Sequence, residues 1–242
     1  MVAMSLPEIT DRESWLTARR ELLEEEKALT RARDALNTRR RELPMVEVTE
    51  DYRFTGPDGE VTLGGLFNGH RQLVVNHVMF DPDWDEMCRS CSAGIREWSP
   101  GTRDHLRSRD TEQVFVSRAP YEKLAAWKER QGWTIPWYSS YGSGFNADFG
   151  VTVDVSGGTM HYNYRDDPTW EGAEGTHELP GFSAFLRVDD RVFHTYSSYA
   201  RAAEWFGGSF AYLDLTALGR QEDWEEPKGR ADSVRAGIPV FD

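Results

Sequence analysis

Residues 72–98 of the chain read QLVVNHVMFDPDWDEMCRSCSAGIREW. The apolar run over residues 73–80 predicts a buried strand, and Pro82 between two aspartates predicts a loop after it. Residues 93–98 then favour a helix. Cys88 and Cys91 are the only cysteines in the sequence, and they therefore fall at a junction between a strand and a helix.

The placement of Cys88-Arg89-Ser90-Cys91 indicates thiol chemistry. A helix start offers free backbone N–H groups and the positive end of the dipole, which favour the ionised thiolate. Arg89 adds a positive charge beside the first sulfur. We interpret the pair as a dithiol/disulfide couple in which Cys88 attacks and Cys91 resolves the mixed disulfide.

Two other interpretations of the cysteines stay open at this point. Free cysteines are often inert and buried, and the pair could also bind a metal ion together with His77. A closed tetrahedral site needs four ligands, however, and the chain has only two cysteines. We therefore expect no metal and no cofactor, and we interpret His77 and His194 as structural.

Composition argues against several classes of function. The chain of 242 residues has 28 basic and 41 acidic side chains and a net charge of −13, which argues against nucleic acid or an anionic membrane as the main partner. No apolar run approaches the roughly 20 residues of a membrane span, and residues 1–15 do not resemble a signal peptide. We expect a cytoplasmic protein, where two cysteines at this spacing favour catalysis over a structural disulfide.

The chain divides into three predicted regions. Residues 1–45 form a helical arm, because apolar side chains recur at helical spacing after a Thr10/Glu13 capping box. Residues 46–220 form an α/β domain with an insertion at about 151–178, and residues 221–242 form a tail. The arm suggests a homodimer, and a monomer with the arm folded back is the alternative.

Within the domain, local signals predict alternating strands and helices. They place a hairpin at 52–66, a strand at 114–116, a helix at 121–131 ended by Gly132, and a second hairpin at 182–196. This order predicts parallel strands joined by right-handed crossovers.

Four aromatic residues have two interpretations. They would either frame an apolar groove near the sulfurs or belong to ordinary core and loop packing. A groove would suit a hydrophobic protein or a small-molecule disulfide better than hydrogen peroxide. The four are Trp84, Tyr138, Tyr141 and Phe145.

Several phrases of the sequence resemble known proteins. The hairpin around Pro57–Leu63, the strand at 73–80 and Cys88–Cys91 resemble the front half of a thioredoxin-like or peroxiredoxin-like domain. More narrowly, the chain resembles the uncharacterised bacterial family DUF899. The matching phrases are CRSCS (88–92), SRAP (117–120), WTIPWYSSYGSGFN (133–146), DFG (148–150), LPG (179–181), VFHTYSSY (192–199) and YLDLTALG (212–219). The resemblance implies a thioredoxin-like fold, with a central mixed β-sheet flanked by helices, an N-terminal helical extension and an insertion before the C-terminal β-hairpin.

The resemblance also implies a set of site residues. Cys88 and Cys91 would be catalytic, and Trp84 and Arg89 beside them would contact the substrate. Thioredoxins carry a cis-proline opposite their cysteines, and the matching positions here are Phe182 and Ser183, which we add to the predicted substrate contacts. The proline available in this part of the chain is Pro180.

One position departs from the peroxiredoxin pattern. Peroxiredoxins have a threonine three residues before the reactive cysteine, and this chain has Asp85 there. A carboxylate cannot donate the hydroxyl's hydrogen bond, and Asp85 with Glu86 is expected to raise the pKa of Cys88.

We therefore hypothesise a thiol–disulfide oxidoreductase that acts on a protein or small-molecule disulfide. The alternatives are a redox-inactive thioredoxin-fold binding protein and a peroxiredoxin-like thiol peroxidase. A titration of the thiols separates the first two, because an inert Cys88 would have a pKa near or above about 8.5.

Overall fold

A computed structural model describes residues 6–156, 160–167, 174–201 and 208–229. The helices are α1 (Arg12–Arg41), α2 (Leu63–Leu66), α3 (Arg89–Glu97), α4 (Pro100–Arg107), α5 (Tyr121–Gln131), α6 (Phe145–Asp148) and α7 (Gly208–Leu213). The strands are β1 (Val46–Glu47), β2 (Arg53–Gly56), β3 (Gly59–Thr62), β4 (Gln72–His77), β5 (Thr111–Ser117), β6 (Trp137–Ser139), β7 (Thr152–Asp154), β8 (Met160–Tyr162), β9 (Arg165–Asp167), β10 (Thr176–Glu178), β11 (Gly181–Val188) and β12 (Arg191–Tyr199). The predicted tail beyond residue 229 lies outside the described residues.

The described residues fall into two compact units. The first contains the described parts of Met1–Pro44 and Tyr212–Ala236, and the second contains those of Met45–Ala211. Helix α1 belongs to the first unit and begins after Asp11, whose carboxylate accepts the N–H groups of Glu13 and Ser14. The predicted Thr10 cap is therefore wrong by one residue. The boundaries of the predicted arm, domain and tail stay predictions.

An eight-stranded mixed sheet dominates the second unit, in the order β1-β12-β11-β4-β5-β6-β2-β3. Strand β4 pairs in parallel with β5 and antiparallel with β11, and β11 continues antiparallel into β12. Helix α3 lies in the crossover from β4 to β5. A βαβ unit followed by an antiparallel hairpin that returns to the first strand defines a thioredoxin-like fold, as predicted.

Alternation along the strands divides the core between the two faces of the sheet. One face carries Val75, Phe145 and Phe185 in a single apolar cluster. The other carries Val78 and Phe115, which pack with Cys91 of α3. The thiol pair therefore belongs to the second face.

The strongest local signals are confirmed. Strands β2 and β3 form the first predicted hairpin, and β11 and β12 form the second. Helix α5 ends at Gly132, whose φ of 66° is the left-handed conformation that glycine adopts without strain. Strand β4 stops at His77 rather than at residue 80, and β5 begins earlier than predicted, at Thr111.

The segment predicted as an insertion forms two small antiparallel pairs, β7 with β10 and β8 with β9. Residues 157–159 and 168–173 of this segment lie outside the described residues. Across the part of the chain that the structure describes, no helix combines the length and apolar character of a membrane span.

Candidate active site

The segment after β4 brings both cysteines to the start of α3. Cys88 is the N-cap residue of this helix. Its N–H donates to the carbonyl of Met79 at 3.1 Å, and its own carbonyl accepts the N–H of Ser92 at 2.9 Å. These bonds hold the Cys88 sulfur at the positive end of α3.

The half-buried sulfur of Cys88 is surrounded by hydrogen-bond donors. The hydroxyl of Ser90 lies 3.0 Å from Sγ. A hydrogen bond from the Cys91 thiol is the largest influence on the pKa of Cys88 and lowers it; burial opposes this, and bonds from Ser90 and from two backbone N–H groups lower the pKa further. The pKa falls to about 5, so Cys88 is a thiolate at neutral pH.

Cys91 differs from Cys88 in both its burial and the direction in which its pKa is shifted. Its side chain is buried, and its sulfur accepts the backbone N–H of Met79 at 3.3 Å. The hydrogen bond it gives to Cys88 raises its pKa well above the usual range, and burial adds to this effect. The pair therefore holds one proton at neutral pH, and that proton stays on the inner sulfur.

The carboxylates before Cys88 do not dominate its ionisation. Asp85 and Glu86 are exposed, and the pKa of Cys88 is lowered, not raised. Our expectation about these two residues was therefore wrong, because hydrogen bonds made directly to the sulfur outweigh charges on exposed side chains. Arg89 is also exposed, in the first turn of α3.

An ion-pair cluster fixes the loops around the thiols. Arg118, in the loop after β5, donates to Asp81 in the loop after β4 and to the buried Glu178 of β10 at 2.6 Å. Thr152 of β7 also donates to Glu178, at 2.8 Å. The SRAP phrase of the sequence thus joins the β4 loop to the insertion, a link that sequence spacing did not reveal.

The insertion also contributes a tyrosine that contacts the β11–β12 hairpin near the ends of both strands. The hydroxyl of Tyr162 donates to the carbonyl of Pro180 at 3.0 Å and accepts the N–H of Ala200 at 3.0 Å. Burial raises the pKa of Tyr162 above its usual range. Spacing in the sequence does not reveal Tyr162, because its partners Pro180 and Ala200 lie 18 and 38 positions away.

The predicted substrate contacts are divided by the sheet. Trp84 is 37% exposed in the loop before Cys88. Phe182 is half-buried and pairs with Asn76, on the same face as Cys91. Ser183 is buried on the opposite face, where it lies 2.9 Å from His77 Nε2 and 2.8 Å from Ser197 Oγ. Strand register therefore puts Phe182 on the face of the sheet that carries Cys91 and Ser183 on the opposite face. Trp84 and Arg89 are exposed and lie close to the cysteines in sequence, and their contact with a substrate stays a prediction.

His77 belongs to a polar network on that opposite face. The network continues from Ser183 through Ser197 to His194, whose Nε2 lies 2.7 Å from the Ser197 hydroxyl. Burial lowers the pKa of His77 to about 3, so the ring is neutral. The structural interpretation of both histidines fits, and the alternative in which His77 joins the cysteines as a metal ligand is wrong.

The aromatic residues considered for a groove do not gather at the sulfurs. Phe145 is fully buried against His77, with ring centroids 5.5 Å apart, and Tyr138 packs on the same cluster. Tyr141 is 61% exposed. Core packing is therefore the correct interpretation for Phe145 and Tyr138, and Tyr141 is an exposed residue of the loop after β6.

Within the described ranges, no three His, Cys, Asp or Glu side chains lie close enough together to hold a metal ion. Polar groups that contact the sulfurs include two hydrogen-bond donors, the hydroxyl of Ser90 and the N–H of Met79. Ser90 had a signal in the sequence, since it is a hydroxyl residue in the first turn of a helix that starts with a cysteine. Met79 had none, because only its backbone takes part.

A thioredoxin-like domain with a vicinal thiol pair at a helix start is thus the class that the fold and site define. Residues 4–235 match DUF899, described as a bacterial protein of unknown function, and the chain belongs to this family. No curated protein matches the chain.

Several solved structures are similar in fold. One is the bacterioferritin comigratory protein of Xanthomonas campestris, whose structures concern alkyl peroxide reduction. It is 13% identical in sequence, with a TM-score of 0.43, and the match covers 67% of this chain and 91% of that protein. A PrxQ variant from Xylella fastidiosa has 12% identity and a TM-score of 0.44, with 67% and 90% covered. BsSco, of the Sco family of cytochrome c oxidase assembly proteins, has 14% identity and a TM-score of 0.34, with 64% and 85% covered.

Proposed function

We propose that this protein is a thiol–disulfide oxidoreductase in which Cys88 attacks and Cys91 resolves. The observation that carries the proposal is the asymmetry of the pair. Cys88 is half-buried with a pKa of about 5, whereas Cys91 is buried with a raised pKa. An accessible thiolate beside an inner thiol that retains its proton suits a two-step exchange.

In the first step, the Cys88 thiolate attacks one sulfur of a substrate disulfide. A bond forms between Cys88 and that sulfur, the substrate S–S bond breaks, and the leaving thiolate takes a proton from water. The product is a mixed disulfide between Cys88 and the substrate. Trp84, Arg89 and Phe182 are the side chains that we propose contact the substrate.

The second step uses a change in the pKa of Cys91. Two of the causes that raise this pKa, the hydrogen bond to Cys88 and the charge on Cys88, disappear once Cys88 is in the mixed disulfide. Cys91 then loses its proton to water, and the N–H of Met79 stabilises the new thiolate. The thiolate bonds to Cys88 Sγ and displaces the second substrate thiolate, so the substrate gains two electrons and the pair becomes a disulfide. A thiol reductant of the cell would restore the pair, which fits the expected cytoplasmic location.

The test compares two single-cysteine variants with the intact chain. Cys88→Ser should abolish reduction of a small-molecule disulfide, and Cys91→Ser should stop after the first step with one substrate thiol bound to Cys88. Intact-mass measurement detects this adduct. Full turnover by Cys88→Ser would overturn the assignment, and a Cys88 pKa near about 8.5 would favour the redox-inactive binding protein.

Peroxide reduction is the second candidate, and the Ser90 hydroxyl favours it. Ser90 Oγ lies 3.0 Å from Cys88 Sγ, so it supplies a hydroxyl donor to the sulfur that Asp85 cannot supply. A thiolate at neutral pH is also the form that peroxide oxidises. Rapid loss of the Cys88 thiol on addition of an alkyl peroxide, slowed in Ser90→Ala, would support this candidate, and a rate no faster than that of free cysteine would exclude it.

A further inference from the structure

The hydroxyl of Tyr162 joins three segments that are distant in sequence. It donates to the carbonyl of Pro180, just before β11, and accepts the N–H of Ala200, just after β12. Its ring centroid lies 5.5 Å from that of Tyr199. Both polar capacities of the hydroxyl are therefore used, and the side chain has a fixed orientation.

Pro180 lies at the end of the sheet from which the chain continues towards the cysteines. Gly181 pairs with His77 at the end of the β11–β4 ladder, so Leu179 and Pro180 precede β11 at the same end at which β4 continues into Val78 and Met79. The N–H of Met79 is the backbone donor to Cys91 Sγ, at 3.3 Å. The Leu179–Pro180 segment is held at a second point, because the N–H of Leu179 donates to the carbonyl of Val151 at 2.7 Å.

We propose that Tyr162 is a positioning residue for the second step of exchange, acting through the Leu179–Pro180 backbone on the alignment of Cys91. This inference rests on the proposed function. The resolving sulfur must reach Cys88 along the mixed S–S bond while keeping the Met79 N–H as its donor. Loosening the Leu179–Pro180 segment would displace the Met79 N–H that donates to Cys91 Sγ and so misalign Cys91. Cys88 also contacts Met79, but its carbonyl is held by the Ser92 N–H of α3 as well, so the effect on Cys88 should be smaller.

A neighbouring tyrosine provides a matched control. The hydroxyl of Tyr164 donates to the carbonyl of Ser197 at 3.1 Å, and the residue is 70% exposed. Tyr164 lies at the turn between β8 and β9, two residues after Tyr162, but its hydroxyl bonds to β12 and not to Pro180. Tyr162→Phe and Tyr164→Phe each remove one hydroxyl and keep the ring.

The experiment separates the two steps in time. The reduced full-length chain is mixed with an aromatic disulfide whose thiolate product is coloured, so each step releases one thiolate. In Tyr162→Phe, the second release should slow by about fivefold or more, and the first release should slow much less than the second. The pH midpoint of the second release should rise, and Tyr164→Phe should change neither release.

The outcomes distinguish this inference from the proposed function. Equal second-step rates in wild type and Tyr162→Phe would overturn the role of Tyr162, as would equal slowing of both steps or the same effect in Tyr164→Phe. Absence of the first release in the wild-type protein would instead overturn thiol–disulfide exchange itself. Because Tyr162→Phe keeps the ring beside Tyr199, an unchanged circular dichroism spectrum is expected.

Discussion

Replacing Cys91 by alanine should raise the pKa of Cys88. The Cys91 thiol gives the hydrogen bond that lowers this pKa most. A hydrogen bond to a charged group contributes roughly 1.5–3 kcal/mol, and a change of one in pKa corresponds to about 1.4 kcal/mol. Loss of the bond should therefore move the pKa of Cys88 from about 5 to roughly 6–7.

The assay is the rate of Cys88 alkylation by iodoacetamide as a function of pH, because only the thiolate reacts. Cys91→Ala contains Cys88 as its only thiol, so the rate profile reports a single group. Two variants provide controls. Cys91→Ser keeps a hydroxyl donor and should show a lower pKa than Cys91→Ala, and Ser90→Ala should raise the pKa less than Cys91→Ala does, because its bond is the weaker influence.

One result would refute this reasoning. If Cys91→Ala kept the pKa of Cys88 at about 5, the thiol hydrogen bond would not be its cause. The Ser90 hydroxyl and the backbone N–H groups at the start of α3 would then be the remaining causes. The proposed difference in role between the two sulfurs would lose its physical basis.

Two further predictions concern buried charge and pH. Glu112 is fully buried, and burial raises its pKa, but the hydrogen bonds from Arg103 and Arg107 outweigh burial and lower the pKa from 4.5 to about 2. The ionised Glu112 therefore stabilises the fold above about pH 4.5, and this contribution is lost as the pH falls through about 2. In urea titrations at pH 7, Glu112→Gln should lower the free energy of unfolding by about 3 kcal/mol. The control is Glu60→Gln, in an exposed pair with Arg53, which should lower it by less than about 0.5 kcal/mol. Equal losses in the two variants would contradict the account. His77 has a folded pKa of about 3 against an ordinary 6.5, so it stabilises the fold above pH 6.5, and that contribution falls as the pH drops towards 3. His77→Phe should flatten the decline of stability with pH by up to about 1.4 kcal/mol per pH unit, and parallel curves for the two proteins would show that His77 is not its source.

The parts of the fold that follow from local chemistry were predictable from sequence. The turn residues of both hairpins and Gly132 at the end of α5 impose their conformation on short segments. The cap of α1 was off by one residue, because Asp11 and Thr10 are both good caps and sequence alone does not choose between them.

The site was only half predictable for a related reason. Cys88 and Cys91 can be identified from their spacing and from their place at the start of a helix. The side of the sheet on which His77 and Ser183 lie depends on strand register, and one residue reverses it. Tyr162 and the Arg118–Glu178 pair depend on how the insertion folds back onto the domain, which no local pattern encodes.

The most direct test of the central claim is the reduction potential of the Cys88–Cys91 pair, measured by equilibration in glutathione buffers followed by thiol trapping. Oxidoreductases with an attacking thiol of pKa near 7 have potentials near −270 mV, and those with a pKa near 3.5 have potentials near −120 mV. A pKa of about 5 falls between them and predicts a two-electron couple at roughly −190 mV. Failure of the two cysteines to form a disulfide, even in oxidised glutathione alone, would contradict the account.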